Sequence, residues 1–326
     1  MKITAKGRLM AKDAKYVNDG FMFLQKQLEK MDEKILEPLQ STSWPRDLPV
    51  ETGGGFLENV ASVDVQYATT GGDENSLIME AANDIPVMQA DFGKNIWRVF
   101  NWAHYMSVPY LQKQKLQQIG TNIEEVLNKG VRLYHDKTVD RNAYVGFEKV
   151  KSTGLINNPG ITRKSAAPHT QGGSDTAWRG KTADEILADI NDVISDIWMK
   201  NDCSPDAIVN HILVPVEQFG QLVSMKVGVT GDKSILTFIE ENNLAGKQGV
   251  KLVISPCKWC KGAGSGKTDR MVAYINETGK VCFNMTSPLH RLTTKIANLA
   301  YKTPFVSQFS EVRFKYPTTV EYVDGI

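Results

Sequence analysis

Residues 60–68 read Val60-Ala61-Ser62-Val63-Asp64-Val65-Gln66-Tyr67-Ala68, and the reading of this stretch decides the fold. Ala61, Val63, Val65 and Tyr67 alternate with Ser62, Asp64 and Gln66, the period of two that puts one class of side chain on each face of a strand. A stretch rich in Gly, Asn, Asp and Glu follows from Thr69 to Asp84. A second β-prone segment then runs from Asn95 to Tyr110, with Ile96, Trp97, Val99, Phe100, Trp102, Tyr105 and Val108. Together they predict a long β-excursion over 60–110. A two-stranded ribbon alone is marginal in water, so this one needs a support. That support is either an internal sheet or the surface of a partner, and the aromatic content suits a partner.

N-terminal to the excursion, residues 1–20 are polar and irregular. Phe21, Leu24, Leu28, Met31 and Ile35 recur at helical spacing and predict a short amphipathic helix over 21–37. From Pro38 to Gly55 the chain reads as an extended arm. Pro38, Pro45 and Pro49 bias the residues before them away from helix, and Gly53-Gly54-Gly55 closes the segment. An arm so poor in apolar residues has little reason to fold on its own subunit.

C-terminal to the excursion, residues 111–140 predict a long helix, with Leu116, Ile119, Ile123, Val126, Leu127 and Val131 in one stripe. Gly120 and Gly130 weaken it and mark places to bend. Residues 154–180 read as a loop. Thr182 and Glu185 have capping-box spacing, and Ile186, Leu187, Ile190, Val193, Ile194, Ile197 and Trp198 give the next helix a strict apolar face. The run 208–214 reads as a buried strand, and Ser234 can cap a helix carrying Ile235, Leu236, Phe238 and Ile239. The last third is mostly strand, with a hairpin expected at Asn276-Glu277-Thr278-Gly279. The sum is an α+β chain without regular βαβ alternation and without an internal repeat.

Two motifs invite a chemical reading. Gly262-Ala263-Gly264-Ser265-Gly266-Lys267-Thr268 is close to a phosphate-binding loop, which needs a strand before it and a helix starting at the Lys. Here the first Gly is one place late, and Met271-Val272-Ala273-Tyr274-Ile275 after it is β-prone. The reading is a Gly-rich loop between strands. Cys257-Lys258-Trp259-Cys260 is a Cys-x-x-Cys pair. A Gly-rich loop follows it, not the helix that would activate a redox thiol, and Cys203 and Cys282 do not form the second pair of a zinc site. The pair reads as free or incidentally oxidised thiols. His104, His135, His169, His211 and His290 are scattered, and His211 reads as a core group. No catalytic residue, metal ligand or cofactor is expected.

Bulk properties agree with a folded structural chain. The 38 Lys and Arg nearly balance 37 Asp and Glu, for a net charge of +1 over 326 residues. That lacks the basic excess of a dedicated nucleic-acid binder and lets copies crowd without strong self-repulsion. No run reaches the roughly 18 apolar residues of a membrane span, and no signal peptide is expected after Met1-Lys2-Ile3. Four cysteines in a chain of this size are no disulfide scaffold, so cytoplasmic synthesis is expected.

Several strings recur in an order that carries a resemblance: Trp44-Pro45-Arg46-Asp47-Leu48-Pro49-Val50, Asn83-Asp84-Ile85-Pro86, Gly154-Leu155-Ile156-Asn157-Asn158-Pro159-Gly160, Thr182-Ala183-Asp184-Glu185-Ile186-Leu187, Gly266-Lys267-Thr268-Asp269-Arg270-Met271-Val272 and Tyr322-Val323-Asp324-Gly325-Ile326. With their spacing they resemble the major capsid proteins of tailed bacteriophages, from about residue 44 to the C-terminus. The resemblance implies the Hong Kong 97-type capsid fold: an N-terminal arm (1–55), an extended loop with the leading peripheral strand (56–110), a peripheral domain with a spine helix (111–200), an axial domain (201–300) and return strands of the peripheral domain (301–326). It implies an icosahedral head shell of hexamers and pentamers of this chain, in a virion made in the cytoplasm of a host bacterium. Implied partners are a portal, a decoration protein and non-specifically contacted double-stranded DNA, with no membrane. The chain lacks a long acidic helical leader, so a separate scaffolding protein, or none, is expected. The alternatives are a nanocompartment shell of the same fold around a cargo enzyme, and, from residues 262–268 alone, a nucleotide-dependent enzyme.

Overall fold

The computed structural model describes residues 42–69, 87–111, 113, 123–170, 173–227 and 233–326. In chain order its elements are α1 (Trp44–Asp47), β1 (Val50–Thr52), β2 (Asn59–Thr69), β3 (Met88–Pro109), α2 (Ile123–Tyr144), β4 (Thr162–Ser165), α3 (Ala183–Lys200), β5 (His211–Val214), α4 (Val216–Ser224), α5 (Ile235–Asn242), α6 (Leu244–Lys247), β6 (Val253–Pro256), β7 (Arg270–Tyr274), β8 (Val281–Met285), β9 (Ser287–Arg291), β10 (Lys295–Ala297), β11 (Ala300–Ser310), β12 (Val312–Phe314) and β13 (Val320–Asp324). The helix expected over 21–37 and the bend expected at Gly120 lie outside the described residues.

The two strands of the predicted excursion form, and β3 is a single strand of 22 residues. Its first half pairs with β2, from Met88 opposite Thr69 to Arg98 opposite Asn59. Its second half pairs with β11, from Val99 opposite Ser310 to Pro109 opposite Ala300. One strand therefore changes partner between residues 98 and 99. The long helix, expected over 111–140, is described from Ile123 and continues to Tyr144. It lies on the second half of β3 and on β11. Val131 packs with Met106 and Phe305, His135 Nε2 is 2.9 Å from Ser307 Oγ, and Asn142 Nδ2 donates to the Ser310 carbonyl at 3.0 Å.

The other large sheet is mixed and runs in the order β4-β13-β7-β5-β6. Both of its faces are covered, so β5 and β7 are nearly continuous apolar runs with no alternation, while β13 carries the buried charges of Glu321 and Asp324. On one face Ile212, Val214, Met271, Ala273 and Val323 meet Ile186, Ile190, Val193, Ile194 and Ile197 of α3. On the other, Leu213, Val272, Tyr274 and Tyr322 meet Leu48, Val139, Tyr144 and Phe283. The predicted capping box starts α3: Thr182 Oγ1 accepts from Glu185 N, and Thr182 N donates back to the Glu185 carboxylate at 2.7 Å. Ser234 caps α5 as expected, accepting from Thr237 N.

The structure corrects three expectations. Residues 42–55 do not form a free arm. Pro45 sits in the first turn of α1, where its missing N–H costs nothing, and β1 pairs in parallel with β8. The anchor is Asp47, which is fully buried. Arg46 holds its carboxylate by two bonds of 2.6 and 2.9 Å, Tyr144 donates its hydroxyl to it, and the Tyr274 hydroxyl donates to the Asp47 carbonyl. Next to it, Asp140 accepts from Ser43 N at 3.1 Å and from Trp259 Nε1 at 3.0 Å. A proline-rich segment thus docks through buried polar bonds and through Trp44, Leu48 and Val50, apolar residues too few and too irregularly spaced to give a periodic signature in the sequence.

The second correction is the expected hairpin around Asn276–Gly279. Strand β7 pairs with β5 and β13, while β8 pairs with β1 and β12. The turn carries the chain from one sheet to another, with Asn276 N tied to Asn210 Oδ1 at 2.7 Å. The third concerns the grouping of strands. The segment 301–326 divides, with β11 in the long sheet and β13 in the mixed sheet beside β5, β6 and β7. A break at 300/301 follows no sheet boundary, and residues 42–326 form one compact unit.

Candidate assembly interface

In an antiparallel pair, residues directly opposite each other point to the same side. The register puts Ala61 with Ile96, Val65 with Phe92 and Tyr67 with Ala90. One face of the ribbon therefore collects Val63, Val65, Tyr67, Met88, Phe92 and Ile96. All six are exposed, Tyr67 at 74% and Phe92 at 68%. Lys94, opposite Val63, is the charged side chain on that face; the other face is polar along most of its length, with Asn95 Nδ2 donating to Asp64, and carries Val60 opposite Trp97 at its base. Half of the support question is answered internally, since β11 carries the second half of β3. The first half, with β2, keeps its apolar face bare. Burying six such side chains would contribute roughly 10 kcal/mol before entropy is charged, a large amount for a face left in water.

The motifs that invited enzymatic readings are structurally occupied. In the 262–268 loop, Gly262 N donates to Asp269 Oδ1 at 2.9 Å and Ser265 N to Asp324 Oδ2 at 2.9 Å. The N–H groups that would cradle a phosphate already hold carboxylates of this chain. A Cβ on Gly264 would meet Thr268 Oγ1 at 2.5 Å, so the loop closes on itself. Strand β7 follows it, as the β-prone sequence predicts, and no long helix supplies an N-terminus. Burial pushes the Asp324 carboxyl up, but the Arg270 guanidinium, bonded at 2.6 and 2.9 Å, and the Ser265 N–H outweigh that and hold it below the usual carboxylate range.

Cys257, Cys260 and Cys282 are buried free thiols, and Cys203 is an exposed one. A hydrogen bond to Cys257, together with burial, pushes the Cys260 thiol well up, the reverse of an activated redox cysteine. Among the described residues no three His, Cys, Asp or Glu side chains stand where they could hold a metal ion.

The fold also assembles groups the sequence keeps apart. His135 and His104 both lie on Trp102, with ring centroids 5.0 and 5.7 Å away, and Tyr134 is 5.5 Å from His104. His211 is buried, as expected of a core group, with Nε2 3.4 Å from Asp47 Oδ1 and its ring 5.2 Å from Tyr274. Burial alone would raise the Asp47 carboxyl; the contacts from His211, Arg46 and Tyr144 outweigh it and hold it low.

A family model described as major capsid protein matches residues 73–326. The chain belongs to the major capsid protein family. Among solved structures, the capsid of Myoviridae phage XM1 superposes with a TM-score of 0.75 at 13% identity, covering 92% of this chain and 98% of that one. The capsid of the native GTA particle gives 0.61 at 11% identity, covering 91% and 94%. Microbacterium phage Oxtober96 gives 0.59 at 11% identity, covering 91% and 95%. At these identities the likeness is one of fold, and the fold of this capsid subunit is the expected α+β, Hong Kong 97-type one. No curated protein sequence matches the chain.

Proposed function

We propose that this capsid subunit assembles, as hexamers and pentamers, into the icosahedral head shell of a tailed bacteriophage, around double-stranded DNA contacted without sequence specificity. The observation that carries the reading is the bare apolar face of the β2–β3 ribbon, on a chain of the major capsid protein family. That face is costly in a free subunit and is buried once it lies across a neighbour. In this reading the ribbon is the extended loop, α2 is the spine helix, and the mixed sheet with α3–α6 is the axial domain. In this reading the subunit is structural and not an enzyme, which the filling of the 262–268 loop by its own carboxylates supports. A portal, a decoration protein and a separate scaffolding protein would be its partners in the virion, after synthesis in the host cytoplasm.

Electron microscopy of the purified chain, and of particles from cells expressing it, tests the proposal. Closed shells containing DNA are expected in a phage setting. A chain that stays monomeric under all conditions, or shells that hold a cargo enzyme in place of DNA, would overturn it.

A further inference from the structure

Cys257 and Cys260 have no exposed surface. They bound a single turn of 3₁₀ helix, Lys258–Cys260, which Cys260 N closes by donating to the Cys257 carbonyl at 3.4 Å. In such a turn the side chains at i and i+3 stand over one another. Its ends lie within about 7 Å, a separation that a disulfide can span with little backbone movement. The two thiols do meet, since Cys260 is hydrogen-bonded to Cys257. The third buried thiol, Cys282, stands apart: its neighbours Val281 and Phe283 enter the core that holds the pair, and it does not. As core filler, one cysteine behaves like any small apolar residue. Two in contact are also a two-electron couple.

Residues 43–48 pack against this turn. Leu48 shares the core of the two cysteines. Arg46 Nη2 donates to the Pro256 carbonyl at 2.9 Å, one residue before the first cysteine. Asp140 accepts from Ser43 N at 3.1 Å and from Trp259 Nε1 at 3.0 Å, and Trp259 stands between the cysteines in the chain. The segment is therefore tied to the turn on both sides of Cys257. While it is docked, the bond to Cys257 and burial keep Cys260 a protonated thiol, and disulfide exchange needs the thiolate.

We infer that Cys257 and Cys260 are an oxidation site, a dithiol that a small-molecule disulfide converts to an intrachain disulfide when residues 43–48 unfold locally. One cysteine, as its thiolate, attacks a sulfur of the reagent; the reagent's S–S bond breaks, and one small thiolate leaves. The second cysteine attacks the protein sulfur of this mixed disulfide, forms the new S–S bond and expels the second small thiolate. The two protons of the cysteines end on the two small thiols, and two electrons pass from the chain to the reagent. The inference goes beyond the shell reading and does not depend on it. In a shell, the pair would be made reduced in a host cytoplasm and meet oxidants outside.

The experiment uses the full chain as C203S, so that three of the four cysteines remain. The folded chain is incubated with hydroxyethyl disulfide, unfolded in N-ethylmaleimide, and weighed intact and as peptides. The expected product carries maleimide on Cys282 alone and a Cys257–Cys260 link, with the loss of two hydrogens, about 2 Da. C203S/C260S should instead keep a hydroxyethyl adduct on Cys257, because no second thiol resolves it. If that variant does not fold, the C203S masses decide alone. L48A loosens the segment without changing a charge near the thiols. It should speed closure at least about tenfold, by the same factor as it speeds hydrogen exchange of peptides spanning 42–55. Three free thiols after prolonged exposure, in C203S and in C203S/L48A alike, would overturn the inference. So would stable adducts on both Cys257 and Cys260, or a link from either to Cys282. Closure unchanged by L48A while exchange rises would overturn the gating by residues 43–48.

Discussion

Replacing Asp47 by alanine should release residues 42–55 while leaving the two large sheets intact. The size of the effect follows from which bonds cross between the segment and the body. The Arg46–Asp47 pair lies within the segment and survives detachment, so it does not count. The Tyr144 hydroxyl bond to the carboxylate does count. A hydrogen bond to a charged group contributes about 1.5–3 kcal/mol. The His211 contact at 3.4 Å is longer than a good hydrogen bond and adds a fraction of that. Tyr144 keeps Ser43 Oγ at 2.9 Å, and the Tyr274 bond goes to the backbone, so neither is lost. The sum is about 3 kcal/mol, or about two orders of magnitude in the open population. Hydrogen exchange of peptides spanning 42–55, read by mass spectrometry, reports local opening of this kind. An increase near a hundredfold is expected there, with peptides from β5 and β7 unchanged. R46A should also open the segment, because it leaves the fully buried Asp47 carboxylate without its cation. Less than a twofold change in D47A would refute the idea that buried polar bonds help dock this segment.

Titration gives a second check: Asp47, Glu51 and Asp324 are all held below the usual carboxylate range, so their stabilisation is complete above the unfolded value near ~4. It is lost as pH falls through the lower folded values, so thermal stability should be flat from neutral pH to about 5 and drop below about 4. An aromatic disulfide reagent should titrate Cys203 rapidly in the native chain and Cys257, Cys260 and Cys282 only on unfolding, following their burial; rapid reaction of a second thiol would contradict the buried pair. In α2, G130A meets nothing within 4 Å and should stabilise the helix by about 0.5–1 kcal/mol. If shell expansion bends the helix there, this variant should also slow expansion, as comparison of empty and filled particles would show. T182A should cost about 1 kcal/mol in a urea melt through loss of the capping box.

What the sequence made legible depended on whether local pattern and tertiary environment agreed. Residues 59–69 alternate and form a strand; 182–200 combine a capping box with a strict apolar face and form a helix with those ends. The 262–268 loop was legible because the β-prone residues after it contradicted the helix its motif requires. The segment 42–55 was misread because its contacts are made by a buried carboxylate, two tyrosines, a parallel strand pairing and three scattered apolar residues, Trp44, Leu48 and Val50, all at long sequence separation. The turn at 276–279 has hairpin composition, but composition does not say which sheet each flank joins. The alternation along β2 could be drawn from the sequence, but Met88 and Phe92 lie before the Asn95 start expected of the second strand; that the face stays uncovered in the subunit could not be drawn, because exposure depends on everything packed around it.

The change of partner along β3 has a metric consequence. An extended strand is close to its limit of ~3.4 Å per residue and cannot be stretched, so residues 88–98 act as a ruler that fixes how far the ribbon tip stands from the body, about 35 Å. Its graduations come in twos. Adding one residue to each strand would turn Phe92 and everything tipward of it to the wrong side; adding two would preserve the facing and lengthen reach by about 7 Å. Where the ribbon lies across a neighbour, as proposed, the spacing it sets can therefore change only in steps, written in the ribbon as pairs of residues.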